Sequence, residues 1–346
     1  MSTLTRPQAA EIEVVRAARR APRRHHRAVV AGLGAALLAV LAARLLLGDF
    51  TVSAVDLVRI LAGEQIPGAS YIVTEVRLPR AALAVLCGTA FGLGGALFQA
   101  TLRNPLASPD IVGVSMGASA AAVCAIVVLG LAGLSVSMAA VAGALATAVL
   151  VRGTSGSDSR GASYRLVLVG VATAALLHAV VQYLFTRADT YDAQLMLRWL
   201  TGSVSAADWS TVRILALLLV LLAPGLLWAG RALPVLELGH DAARGLGRRR
   251  HSAELVLLLG VALVAAGVAA AGPIAFVAFV SGPLARALNH GRTTLPGAAL
   301  VGAVVVVAAD FAADQLLPGA NYPVGVVTGA VGAPVLLWML TRRKLG

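Results

Sequence analysis

Apolar runs long enough to cross a bilayer follow one another along almost the whole chain, and this feature excludes most folds. A helix needs about 20 mostly apolar residues to span the hydrocarbon core. Such runs begin at Ala28 and recur almost to the last residues, separated by polar stretches. Only 13% of the residues are charged and 59% are hydrophobic, too little charge to cover a soluble surface of this size. Stretches such as 28–47 and 255–271 lack the two-residue alternation of a transmembrane barrel. The expected fold is therefore an all-α polytopic membrane protein of about ten transmembrane helices.

The spans are expected near 28–48, 81–101, 110–130, 134–151, 164–186, 211–230, 253–272, 274–289, 296–314 and 323–341. The eighth is short and interrupted by Gly282-Pro283. Residues 1–27 form an Arg-rich tail, helical in part or disordered, and 28–346 a single transmembrane domain. The first apolar run has no clean small-x-small cleavage site, so it is expected to be a spanning helix rather than a cleaved signal peptide. With the tail inside, 21 of the 28 basic residues fall on the inner side, while the acidic residues divide almost evenly. That asymmetry fits a multi-pass chain with both termini in the cytoplasm. It also accounts for the net charge of +12 without nucleic acid, which is not an expected partner.

Several chemistries are absent. Lys344 is the only lysine, so no Walker A loop is possible and any ATP-driven motion must come from another polypeptide. Gly113-Val114-Ser115-Met116-Gly117 fits the GxSxG pattern, but no strand precedes it and a hydrophobic helix follows. Close packing at a helix start explains it better. Gly88-x-x-x-Gly92, Gly113-x-x-x-Gly117 and Gly325-x-x-x-Gly329 have the spacing that lets membrane helices approach. Cys87 and Cys124 lie in apolar runs and are expected as small buried thiols. No His/Cys cluster is visible, so no metal, cofactor or catalytic residue is expected. Gln99, His178, Gln182 and Asp310 do enter the apolar zone and are the candidates for a pathway. They are too few for a proton relay, and suit a conduit that passes a large solute without holding it tightly. For His178 a neighbouring helix is the expected partner. For Asp310 the expectation is a structural role near the outer face.

The motifs resemble the iron-chelate and cobalamin class of ABC importer permeases, the FecCD-type family, over nearly the whole chain after residue 50. Arg77-Leu78-Pro79-Arg80 looks like its RLPR. Gly88 to Gln99, then Arg103-Asn104-Pro105-Leu106-Ala107-Ser108-Pro109 and Gly113-Val114-Ser115-Met116-Gly117-Ala118, resemble its long RNPLA…GVSxGA signature. Trp199-Leu200-Thr201-Gly202-Ser203, Gly272-Pro273-Ile274-Ala275-Phe276-Val277 and Pro323-Val324-Gly325 are similar to its later markers. The resemblance implies a dimer of permease subunits, two ATPase subunits docked from the cytoplasm and an extracytoplasmic binding protein that delivers the chelate. It implies that Arg77 and Arg80 pair with glutamates of that binding protein. Leu238, Gly239, Asp241, Ala242, Ala243, Arg244, Gly245, Leu246 and Gly247 would form the surface that couples to the ATPase. From pattern alone that stretch reads equally as a solvated connector. Ser163 and Tyr164 would form a cytoplasmic gate.

The sequence departs from the family pattern at Ala278 and at Ser281-Gly282-Pro283. Asp314 and Asn321 stand where an outward arginine and a glutamate can occur. One docking contact is thus missing, which favours a heterodimer with a second, similar permease. The expected function is an importer permease for an iron–siderophore or related chelate, and not an enzyme. An ion-coupled secondary transporter and a polytopic membrane enzyme are the alternatives.

Overall fold

The computed structural model describes the backbone of residues 6–48, 50–155, 162–239, 243, 245–246, 251–316 and 322–342. Among the described residues all regular structure is helical. Helix α1 (Arg6–Leu46) leads to a short helix α2 (Ala54–Leu61), then α3 (Ala69–Thr101). There follow α4 (Val114–Val127), α5 (Leu134–Ser155), α6 (Ala162–Arg187), α7 (Thr190–Thr201) and α8 (Trp209–Leu236). The remainder is α9 (Ser252–Ala271), α10 (Val277–Leu288), α11 (Leu295–Gln315) and α12 (Val324–Arg342). Seven of the described helices are long and apolar enough to cross a membrane, and α4, α10 and α12 are apolar but shorter. The protein is therefore a polytopic helical membrane protein.

Helix α3 is the axis of the bundle and packs against α8, α9, α10 and α11. Lipid tails are as apolar as the side chains, so helices gain little from hydrophobic burial and must gain from close packing. The glycines of α3 allow that approach. A Cβ on Gly88 would lie 2.3 Å from the Gly302 carbonyl of α11, and one on Gly95 would lie 1.7 Å from the Ala278 carbonyl of α10. The rings of Phe91 and Phe98 occupy the space left at Gly267 and Gly260 of α9. Helix α4 meets α5 in the same way: a Cβ on Gly117 would strike the Thr147 hydroxyl at 2.0 Å. The GxSxG string is thus a helix start and a close helix contact. Its first glycine takes the left-handed conformation at φ 84°, and Ser115 donates to Asp110.

The structure revises several expected boundaries. The Arg-rich tail is helical from Arg6, continuous with the first span. The stretch 49–80 is not a simple loop, for it holds α2 and the first turns of α3. Hydropathy ends the second span at Ala81 because of Glu75, Arg77 and Arg80. The helix nevertheless runs back to Ala69, through a π-helical segment Ile72–Arg77, because both arginines find partners inside the protein. Helix α7 was not expected between the fifth and sixth spans.

Three sequence-distant glycines converge where α7, α9 and α12 have their ends. A Cβ on Gly202 would lie 2.3 Å from the Pro273 carbonyl, one on Gly272 would lie 2.5 Å from that of Trp199, and one on Gly325 would lie 1.9 Å from that of Thr201. Backbone bonds from Ser203 N–H to Ala271 O and from Gly325 N–H to Gly202 O close the junction.

Candidate functional site

The C-terminal ends of α1 and α11 and the N-terminal part of α3 are tied by a charge quartet, of which Arg44 and Asp310 are buried and Arg80 and Asp314 partly so. Arg80 of α3 donates from Nε to both carboxylate oxygens of Asp310, at 2.9 and 3.1 Å, and from Nη1 to Asp314 at 3.0 Å. Arg44 of α1 donates from Nε to Asp310 at 2.9 Å, and its Nη1 lies 3.3 Å from Asp314. The Arg44 and Asp310 side chains are each 3% exposed. Two guanidinia and two carboxylates one helical turn apart neutralise each other, which makes the burial tolerable. Arg77 is 5% exposed and donates to the carbonyls of Leu45, at 2.7 Å, and Phe50. Its guanidinium lies against Gly48, where a Cβ would clash at 2.3 Å. Neither RLPR arginine is presented outward here. Asp310, a pathway candidate for which a structural role is the expectation, is a buried carboxylate shared by Arg44 of α1 and Arg80 of α3.

Gln99, another of the pathway candidates, is also buried. It is 1% exposed, and its Nε2 donates to the Phe279 carbonyl at 2.9 Å. Phe279 is four residues before Pro283, which has no N–H to give that carbonyl its helical bond. Gln99 supplies the missing donor from the neighbouring helix. Gly282 makes room for it, since a Cβ there would lie 2.0 Å from Gln99 Oε1. The interruption expected at Gly282-Pro283 therefore does not occur, and α10 runs through both residues. The real break lies just before it, at 272–276, where Phe276 adopts φ 64°.

His178 and Gln182 are exposed on α6, one turn apart, with Nε2 atoms 3.3 Å from each other. The partner of His178 is thus on its own helix rather than on a neighbouring one. Thr186 continues the polar stripe a turn later, and Arg187 stacks over Tyr183 at 5.4 Å. Helix α6 turns little of its surface into the bundle, only 17% of its apolar window being buried. A polar stripe on such a face requires water or another protein surface.

Ala243 is buried in a cluster with Leu97 of α3, Leu233 and Leu236 of α8 and Val256 of α9. Leu238 and Leu246 project outward, 62% and 64% exposed. Gly239, at φ 106°, lies beside the Arg103 guanidinium, so the RNPLA turn and this stretch adjoin. Asp241, Ala242, Arg244 and Gly247 lie outside the described residues. Ser163 and Tyr164 fall in the first turn of α6, and their side chains are outside the described set. Among the described residues no three His, Cys, Asp or Glu side chains group as a metal site.

Residues 36–342 match the FecCD transport family. The chain belongs to that family. It is 38% identical to the Fe(3+) dicitrate transport system permease protein FecD of Escherichia coli (strain K12), over 79% of this chain and 86% of that one. It is also 38% identical to the vitamin B12 import system permease protein BtuC of Serratia proteamaculans (strain 568), over 80% of this chain and 83% of that one. A solved structure described as an inward-facing conformation of a metal-chelate type ABC transporter superposes with TM-score 0.80 at 28% identity, covering 91% of this chain and 99% of that one.

This FecCD chain is thus a permease subunit of an ABC transporter and not an enzyme. Sequence reasoning missed Arg44 and Asp314 as partners in the quartet. The available signal was four opposite charges at the ends of apolar runs, in a fold where an unpaired charge is costly.

Proposed function

We propose that this chain is one membrane half of a bacterial importer that carries an iron–siderophore complex, or a related metal chelate, across the cytoplasmic membrane. Two separate ATPase subunits drive it, and an extracytoplasmic binding protein delivers the cargo. A second, homologous permease completes the conduit. Asp314 and Asn321 favour a heterodimer, because the outward contacts they fail to provide must come from the other subunit. The observation that carries the reading is the uncovered polar stripe of α6 in a FecCD chain. His178, Gln182 and Thr186 line the conduit between the two permeases, above a gate at Ser163 and Tyr164.

Ten crossings with both termini inside account for the seven long and three shorter apolar helices. The charge quartet supports that orientation. It neutralises Arg44 and Arg80, two of the few basic residues on the outer side, while Arg77 is held by carbonyls. In the docking of the binding protein, Arg77 and Arg80 fix α1, α3 and α11 as one surface. Direct pairing with a partner's glutamates requires this corner to open. Leu238 and Leu246, beside the Arg103 turn, form the described part of the ATPase-coupling surface.

The test is affinity purification of the tagged chain in mild detergent, followed by uptake in proteoliposomes. Recovery of an ATPase with a second, similar permease supports the heterodimeric importer. An ATPase with no second permease keeps the importer and removes the heterodimer. Repeated failure to recover any ATPase overturns the reading in favour of ion-coupled transport. Uptake of radiolabelled cobalamin without uptake of radiolabelled ferric siderophore moves the cargo from iron–siderophore to a related chelate, and uptake of neither overturns the assigned cargo alone.

A further inference from the structure

A groove of about 1010 Å³ runs between the inner part of α1, the second half of α8 and the start of α11. Its floor is apolar, formed by Leu93 of α3, Leu226 and Leu233 of α8 and Ala299 of α11. Its rim holds His26, Arg27, Arg292 and Glu237. From Leu226 to Glu237 it follows α8 for roughly 16 Å at 1.5 Å per residue, a length suited to part of an acyl chain.

The rim groups differ in how they are satisfied. Glu237 accepts from the Thr293 hydroxyl, Asn289 donates to the Arg292 carbonyl and Thr294 caps α11 at Gly297 N–H. Arg27 and Arg292 are exposed, and among the described residues neither forms an ion pair. The Nδ1 atom of His26 is buried there without a hydrogen-bond partner. The rim therefore offers two guanidinia over an apolar slot, beside a carboxylate, Glu237, already held by Thr293.

We propose that this groove binds an anionic phospholipid, its phosphate held by Arg27 and Arg292 and one chain laid along α8. Guanidinium forks match phosphate oxygens, and basic pockets between membrane helices on the cytoplasmic side recruit anionic headgroups. A water-soluble subunit would not fill the floor, because Leu93 and Ala299 lie along spanning helices. Only 6% of the apolar window of α1 and 17% of that of α8 are buried, so the groove opens where lipid stands. The inner-side placement rests on the orientation proposed above, whereas binding in detergent can be measured without it, so the two readings fail separately.

The experiment is native mass spectrometry of the purified full chain with added phosphatidylglycerol or phosphatidylcholine. Phosphatidylglycerol is expected to be retained preferentially. At about 1 kcal/mol per basic residue, the double variant Arg27→Gln/Arg292→Gln loses that retention about 30-fold. The double variant Arg59→Gln/Arg213→Gln, an equal charge change at exposed positions of α2 and the start of α8 outside the groove, leaves it unchanged. Leu226→Trp, which fills the slot with both arginines intact, is also expected to reduce it. Equal retention of both lipids, or no effect of the double variant, overturns the proposal. Displacement of the lipid by glycerol 3-phosphate alone overturns the chain-binding slot. Loss of ATPase or permease co-purification in Leu226→Trp, with lipid retention unchanged, assigns the groove to a protein instead.

Discussion

The bond between Gln99 and Phe279 yields a prediction that separates a structural glutamine from a pathway one. Replacing Gln99 by Leu keeps the volume nearly constant and removes the donor that sits 2.9 Å from the Phe279 carbonyl. Pro283 cannot replace it, so a buried carbonyl is left without a partner. An unsatisfied buried acceptor costs about 1–3 kcal/mol. Hydrogen bonds between membrane helices average about 0.6 and reach about 1.7 kcal/mol, so the expected loss for Gln99→Leu is about 1–2 kcal/mol. Changing Pro283 to Ala restores an N–H that can close the helical bond to Phe279. In that background the same Gln99→Leu change should cost less by about 1 kcal/mol or more, a coupling within the range for contacting residues. The remaining cost reflects the lost contact between Gln99 Oε1 and Arg286 Nη2, at 3.3 Å, which is common to both backgrounds. The assay is a double-mutant cycle, with unfolding in mixed micelles of rising dodecyl sulfate content followed by tryptophan fluorescence. Equal costs of Gln99→Leu with and without Pro283 would show that Gln99 does not serve the Phe279 carbonyl.

Three further outcomes are expected. Asp310→Asn leaves Arg44 and Arg80 buried with one carboxylate between them, and should cost about 3–5 kcal/mol in the same assay; a loss below about 1 kcal/mol would mean that the quartet is solvated. Gly302→Ala should destabilise by about 1–3 kcal/mol, because its Cβ would lie 2.0 Å from the Gly88 carbonyl, whereas Gly34→Ala, with nothing within 4 Å, should be neutral or stabilising. Leu238→Asp or Leu246→Asp in the assembled transporter should lower uptake while ATP hydrolysis continues; unchanged uptake per ATP in both variants counts against the coupling surface.

The sequence by itself determined that the chain is helical and lies in a membrane, because those properties depend on local quantities. Apolar run length, the absence of alternation and the scarcity of charge act residue by residue. The family signature was legible for a related reason: close approach needs glycine at particular spacings, and Gly88, Gly95, Gly117 and Gly302 record that need directly. The tertiary structure decided what the polar residues do. Gln99, His178, Gln182 and Asp310 look alike in a hydropathy trace, since each is a polar group in an apolar zone. Gln99 meets a carbonyl freed by a proline about 180 positions away, Asp310 meets arginines from two other helices, and His178 with Gln182 faces out of the bundle. Such pairings depend on which helices touch, and one chain's hydropathy carries no record of that. The same holds for Arg77 and Arg80, whose charges shorten the helix when read in sequence and lengthen it once their partners are in place.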